Sequence, residues 1–198
     1  QKVVPIQEPA TPGPISPYAV DKLASEGHLA LAAGLRGERT AALRFFNVYG
    51  PGQPPSAPYA GVIARFAALA QAGAPLTIRG DGAQTRDFVH VDDVVSALLG
   101  AMAHLRSAPP GRYLCANICT GEPATVRDVA ATLVQLAGGG APLHFAPARP
   151  GDIRHSLGDP SRAAAVLGLG EPRSLRQGLA DVLDHLSVPE RERAARAL

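Results

Sequence analysis

Tyr18 and Lys22 stand four residues apart in the stretch PISPYAVDKLASE. On a helix that spacing puts both side chains on one face. A free phenol titrates near pH 10, and a neighbouring ammonium favours the phenolate. A phenol tuned in this way can take a proton from a hydroxyl while hydride leaves the adjoining carbon, then return it. The ammonium keeps donors to spare for the hydroxyls of a bound cofactor. The same pair also suits an amphipathic helix with a half-buried tyrosine and a lysine stem lying along it. The rest of the chain has to separate the two readings.

The elements that must hold the pair can be read in order. Residues 1–17 contain five prolines and no helical period, which predicts a surface loop. Ser16 can cap a helix and Pro17 suits its first turn. Leu23, Leu29, Leu31 and Leu35 supply its apolar side, and Gly34 and Gly37 are expected to stop it. TAALRFFNVYG reads as one buried strand and YAGVIARFAALAQAG as a helix. PLTIRGDG is a short strand running into a turn, and RDFVHV is another strand. Asp92 and Asp93 open a helix reaching about Leu105, their carboxylates at its positive end. GRYLCANICTG and PLHFAPA read as strands. TVRDVAATLVQLAG reads as a helix capped by Thr125, with Asp128 three residues on. Two further helices follow, capped by Asp159 ahead of Pro160 and by Ser174. Strands alternating with helices define an α/β chain.

Composition excludes several classes. A formal charge of +2 is too small to argue for nucleic acid, and the terminal RERAARAL reads as a solvated helix end. No apolar run approaches the 18 residues or so of a membrane span. Cys115 and Cys119 would lie about 13 Å apart along a strand, too far for a disulfide. They read as core thiols in a reducing, cytoplasmic setting, with no metal site at ligand spacing. The opening Gln1, in extended-looking sequence, leads us to expect a fragment or a processed product.

Six stretches occur in one order: SPYAVDKLASE, LRFFNVYGPGQ, SAPYAGVI, PLTIRGDGAQTRDFVHVDDVV, ICTGE and RPGDIRHSLGD. Together they resemble the extended short-chain dehydrogenase/reductases, specifically the NAD-dependent nucleotide-sugar epimerases and dehydratases. The resemblance covers about residues 3 to 186 and is strongest to UDP-glucose 4-epimerase-like enzymes. It implies Tyr18 as the acid/base, with Lys22 holding the ribose of NAD and lowering the tyrosine's pKa. Phe45 is implied to lie beside the nicotinamide, with plain strand core as the alternative for it or for Phe46. Asn47 is implied at the diphosphate or sugar, Gly61 and Val62 at a helix start that meets a phosphate, and Thr77 and Arg79 at the uracil and ribose. Arg86 is implied to grip the diphosphate, with an ion pair to Asp87 or Asp81 as the alternative. Arg149 and Asp152 are implied as a second phosphate clamp and a ribose-hydroxyl acceptor. His90 reads as a structural strand residue.

The resemblance implies a Rossmann-type doubly wound parallel sheet, of which this chain holds the C-terminal part, plus a small α/β substrate lobe. Residues 1–58 and 86–120 are expected in the sheet core, 59–85 and 121–186 in the lobe, and 187–198 in a tail. The Gly-x-x-Gly-x-x-Gly turn that seats the dinucleotide pyrophosphate is not found: LAAGLRG and LAGGGAP each end a helix instead of following a strand. The Ser or Thr that holds the substrate hydroxyl belongs some two dozen residues before Tyr18, and no residue there fits. The expected activity is 4-epimerisation of a nucleotide-diphosphate hexose such as UDP-glucose, with a homodimer at full length and the present chain inactive alone. A 4,6-dehydratase, a UDP-glucuronate decarboxylase and a non-catalytic nucleotide-sugar-binding remnant are the alternatives.

Overall fold

The computed structural model describes residues 4–57 and 61–188. Residues 1–3 of the expected N-terminal loop, residues 58–60 of the SAPYAGVI stretch and residues 189–198 of the tail lie outside the described residues.

Helix α1 (Pro17–Arg36) begins where Ser16 Oγ accepts the Ala19 N–H at 3.2 Å. It runs straight through Gly34 and ends only at Gly37, whose φ of +69° lets its N–H turn back onto the Ala33 carbonyl. The expected stop at Gly34 is therefore corrected. Strand β1 (Thr40–Phe45) pairs in parallel with β5 (Tyr113–Ile118). The single strand expected over TAALRFFNVYG is in fact two. At Phe46 the backbone leaves the β1 ladder, and β2 (Asn47–Tyr49) pairs in parallel with β4 (Thr85–His90). The Phe46 ring turns inward at the break, so close to Gly158 that a Cβ there would sit 2.6 Å from it. A short strand not anticipated from the sequence, β6 (Pro123–Thr125), runs antiparallel to β4.

Between these strands lie α2 (Val62–Gln71) and β3 (Leu76–Arg79), the latter parallel to β7 (Leu143–Ala146). Helices α3 (Val91–Ser107), α4 (Val126–Leu136), α5 (Ser161–Leu167) and α6 (Leu175–Ser187) complete the chain. His90 ends β4 and caps α3, its Nδ1 accepting the Asp92 N–H at 3.2 Å. Thr125 caps α4 as expected. At α5 the expected Asp159 cap shifts by one: Pro160 holds the N-cap position, and the Asp159 carboxylate accepts the Ser161 N–H instead.

Two apolar cores result. One joins α2, α4 and α6 over β3 through Ile63, Phe66, Leu76, Leu133 and Leu179. The other joins α3 and α5 to β5 through Val94, Ala97, Leu114, Ile118 and Leu167. Gly178 decides how closely α6 approaches β2, because a Cβ there would lie 2.2 Å from Tyr49 Oη. Helix propensity alone would make Gly178→Ala stabilising by up to about 1 kcal/mol. Tyr49 is only 3% exposed and cannot give way, so we expect a net loss of about 1–3 kcal/mol. Urea unfolding should show a lower midpoint at unchanged slope.

Among the described strands, β1 has a neighbour on one edge only, β5. The helices beside it are correspondingly bare. α1 buries Ala33 alone while exposing Val20, Leu31 and Leu35. α3 exposes Val95, Leu98, Leu99 and Met102.

Candidate functional site

A cavity of about 400 Å³ opens where α2, β2, β3 and β4 meet. Periodicity on α2 explains one wall. Ala67 and Ala70 face the core, while Val62, Arg65 and Leu69 are presented to the cavity one turn apart, with the buried Ile63 and Phe66 at its base. All eight residues that the sequence nominated for substrate line this single space: Asn47, Gly61, Val62, Thr77, Arg79, Arg86, Arg149 and Asp152. The alternation along β3 turns Thr77 and Arg79 outward into it and buries Leu76 and Ile78 beneath.

The charges in this space are unequal. Four guanidinium groups, Arg65, Arg79, Arg86 and Arg149, face one carboxylate, Asp152. Arg86 is the most enclosed, with a side chain 16% exposed. Its Nη1 donates to the Thr85 carbonyl at 2.9 Å, and its Nη2 lies 3.5 Å from Asp152. Burial pushes its pKa below the ordinary arginine value, and Asp152 opposes that shift. The alternative partners expected for Arg86 are engaged elsewhere. Asp81 holds Arg154 through two bonds of 2.8 and 2.9 Å, and Asp87 turns into the core. Arg65, Arg79 and Arg149 form no ion pair among the described residues. Such a set suits a dianion whose oxygens accept forked bonds.

Arg149 and Asp152 sit on an arch, residues 147–153, and both of its feet stand on one turn. Upstream, the Gly80 N–H donates to the Ala146 carbonyl at 2.8 Å. Downstream, the Thr85 N–H donates to Arg154 O at 2.9 Å, and the Asp81–Arg154 pair locks the same end. The hydrogen bonds from Arg154 hold the Asp81 carboxyl well below the usual carboxylate range.

Two residues escaped the sequence reading. Arg65 could have been found as the residue one turn beyond Val62 on the same helix face. Asp87 gave no such signal. It is fully buried and accepts hydrogen bonds from Thr120 N and Oγ1, Gly121 N and Gly158 N. It ties the loop after β5 to the segment that follows the arch.

Tyr18, Lys22 and Phe45 lie outside the cavity. Tyr18 is 71% exposed and Phe45 46% exposed. The Lys22 ammonium stands 5.4 Å from the centre of the Tyr18 ring. The two side chains therefore share a face of α1, as the four-residue spacing requires. Of the two phenylalanines, Phe46 packs inward and Phe45 is open to solvent at the end of β1.

A family model described as the NAD dependent epimerase/dehydratase family matches residues 1–118. The chain belongs to this family. The UDP-glucose 4-epimerase of Mycolicibacterium smegmatis is 36% identical over 180 residues, covering 91% of this chain and 56% of the relative. The UDP-glucose 4-epimerase of Thermotoga maritima, solved with UDP-glucose, superposes with a TM-score of 0.85 at 37% identity, covering 94% of this chain and 58% of that one. MoeE5, solved with UDP-glucose and NAD, gives a TM-score of 0.80 at 37% identity over 96% of this chain and 60% of that one. This epimerase/dehydratase chain thus spans about half the length of the relatives it matches. Among its described residues, no helix is long and apolar enough to cross a membrane, and no three His, Cys, Asp or Glu side chains gather as metal ligands. Cys115 and Cys119 are free thiols, and burial pushes Cys119 up to about 12.

Proposed function

We propose that this chain is the substrate-binding part of a nucleotide-sugar 4-epimerase acting on a UDP-hexose in the cytoplasm. The observation that carries the reading is the convergence of eight sequence-nominated residues, four guanidinium groups among the lining, on one cavity. Arg86 and Arg149 hold the diphosphate, with the N-terminus of α2 at Gly61 and Val62 supplying backbone donors. Thr77 and Arg79 meet the nucleoside, Asp152 accepts from a ribose hydroxyl, and Asn47 reaches the sugar or its phosphate. The nucleotide is clamped far from the reacting carbon, so the sugar can turn between the two halves of the reaction.

The chain's residues fit the nicotinamide end of NAD. Lys22 is an exposed donor, and Tyr18 and Phe45 are open to solvent. When bound, NAD would supply the acceptor and later the donor of hydride at C4. Tyr18 takes the proton of the sugar 4-hydroxyl and returns it, while Lys22 binds the cofactor ribose and stabilises the phenolate. We place the pyrophosphate on a Gly-rich turn contributed by residues outside this sequence, packed on the open edge of β1. Residues 1–58 and 86–120 then belong to the cofactor-binding core, and 59–85 and 121–186 to the substrate lobe. The exposed apolar residues of α1 suit a homodimer of the assembled enzyme. Alone, this chain binds nucleotide sugar but binds NAD weakly and turns nothing over.

Calorimetric titration tests this directly. UDP-glucose should bind the chain, and NAD should not bind in the same concentration range. Arg86→Ala removes a desolvated charge-assisted donor and leaves Asp152 facing the ligand unpaired. The expected cost is about 2–5 kcal/mol, a loss of affinity of roughly 30-fold or more. Absence of UDP-glucose binding, or Arg86→Ala binding at wild-type strength, would overturn the assignment of the cavity.

A further inference from the structure

The part of α1 that carries Tyr18 and Lys22, residues 17–28, has no buried apolar side chain. Of the 20 residues of α1, only Ala33 is buried, and it lies near the far end. Thr40 Oγ1 donates to Leu29 O at 2.9 Å, again in the second half. For residues 17–28, the side-chain hydrogen bonds to the sheet among the described residues all run through Glu26. Arg44 of β1 meets it with both prongs, Nε to Oε2 at 2.9 Å and Nη2 to Oε1 at 2.6 Å. The Cys115 thiol adds a weak donor at 3.7 Å. The third guanidinium nitrogen, Nη1, donates to the Glu8 carbonyl at 3.0 Å. The pair is largely enclosed, with side chains 29% and 19% exposed. Its hydrogen bonds hold the Glu26 carboxyl below the usual carboxylate range.

We propose that Arg44 and Glu26 are the positioning pair of the reaction centre: their two-pronged ion pair sets where Tyr18 and Lys22 stand relative to Phe45 and Asn47. This rests on the functional reading above. Glu26 is one helical turn beyond Lys22 and two beyond Tyr18, so all three share a face. Arg44 precedes Phe45 directly and Asn47 by three residues. A two-point planar contact fixes rotation as well as distance, which a single hydrogen bond or a lysine does not. Tyr18 lies eight residues from Glu26, about 12 Å along the axis. A tilt of about 5° at Glu26 therefore moves the phenol by about 1 Å, a displacement that can cost about 10²-fold in rate.

The test compares Glu26→Gln, which removes the charge, with Arg44→Lys, which keeps the charge and loses the fork. Hydrogen–deuterium exchange on the chain reads the anchor. Both variants should speed exchange of amides 20–28 about tenfold and leave α2, α4 and α6 unchanged. Titration should give UDP-glucose affinity within twofold of wild type. With a Gly-rich cofactor-binding unit supplied, kcat for epimerisation should fall at least tenfold and KM should stay within twofold. Unchanged exchange in α1, a rise shared by α1 and the core helices, or a loss carried by KM would each overturn the proposal. Failure of the wild-type chain to bind UDP-glucose would strike the functional reading instead, and shows before any variant is made. The exchange result would still decide the anchor.

Discussion

Replacing Tyr18 by phenylalanine is expected to lower the kcat of C4 epimerisation by about 10²–10⁴-fold, the span that a positioned proton-transfer group contributes. The phenol is the group we assign to take and return the 4-hydroxyl proton. Removing its oxygen leaves the ring, the helix and the Lys22 contact in place. UDP-glucose affinity should stay within twofold, because Tyr18 lies outside the cavity that holds the four arginines. The measurement is steady-state turnover of UDP-galactose and UDP-glucose with the cofactor-binding unit present, beside calorimetric binding on the same protein. Turnover that survives the substitution would remove Tyr18 from the chemistry. A matching fall in affinity would instead make it a binding residue.

Asp87→Ala is expected to destabilise the fold by more than about 4 kcal/mol. Three backbone N–H groups and a hydroxyl converge on that carboxylate, which has no exposure. Each buried donor left unmet costs about 1–3 kcal/mol, against a total stability of roughly 5–15 kcal/mol for an ordinary domain. Asp87→Asn keeps one acceptor oxygen and should lose less. Urea unfolding with a far-ultraviolet readout gives both numbers. A loss under about 1 kcal/mol for the alanine variant would show that water replaces the carboxylate at these donors.

The residues lining the cavity were reached through the family resemblance, because each sits in or beside one of the short stretches that carry it: Asn47 in LRFFNVYGPGQ, Arg86 in PLTIRGDGAQTRDFVHVDDVV, and Arg149 and Asp152 in RPGD. Most helices were legible through their caps, as at Ser16, Thr125 and Ser174. The strand break at Phe46 was not, since no Gly or Pro marks it, and the two halves pair with strands of different sheets, β1 with β5 and β2 with β4. Gly34 misled because mid-helix glycine costs only about 1 kcal/mol. The stop needs the left-handed backbone that Gly37 adopts. Asp87 was illegible for a different reason: its donors come from residues 120, 121 and 158, which are adjacent only after folding. Arg154 and Glu26 follow the same rule, since each acquires meaning from a partner at least 18 residues away.

The arch over the cavity has a practical consequence for altering ligand choice. Residues 147–153 leave and rejoin the protein at a single turn, residues 80–85, and contribute no side chain to either buried core. The segment is thus a seven-residue cassette. It can be exchanged for one of the same length from another nucleotide-sugar enzyme while the helices and strands beneath keep their packing. Libraries confined to those positions offer a route to new donor sugars or bases at little expense in folding.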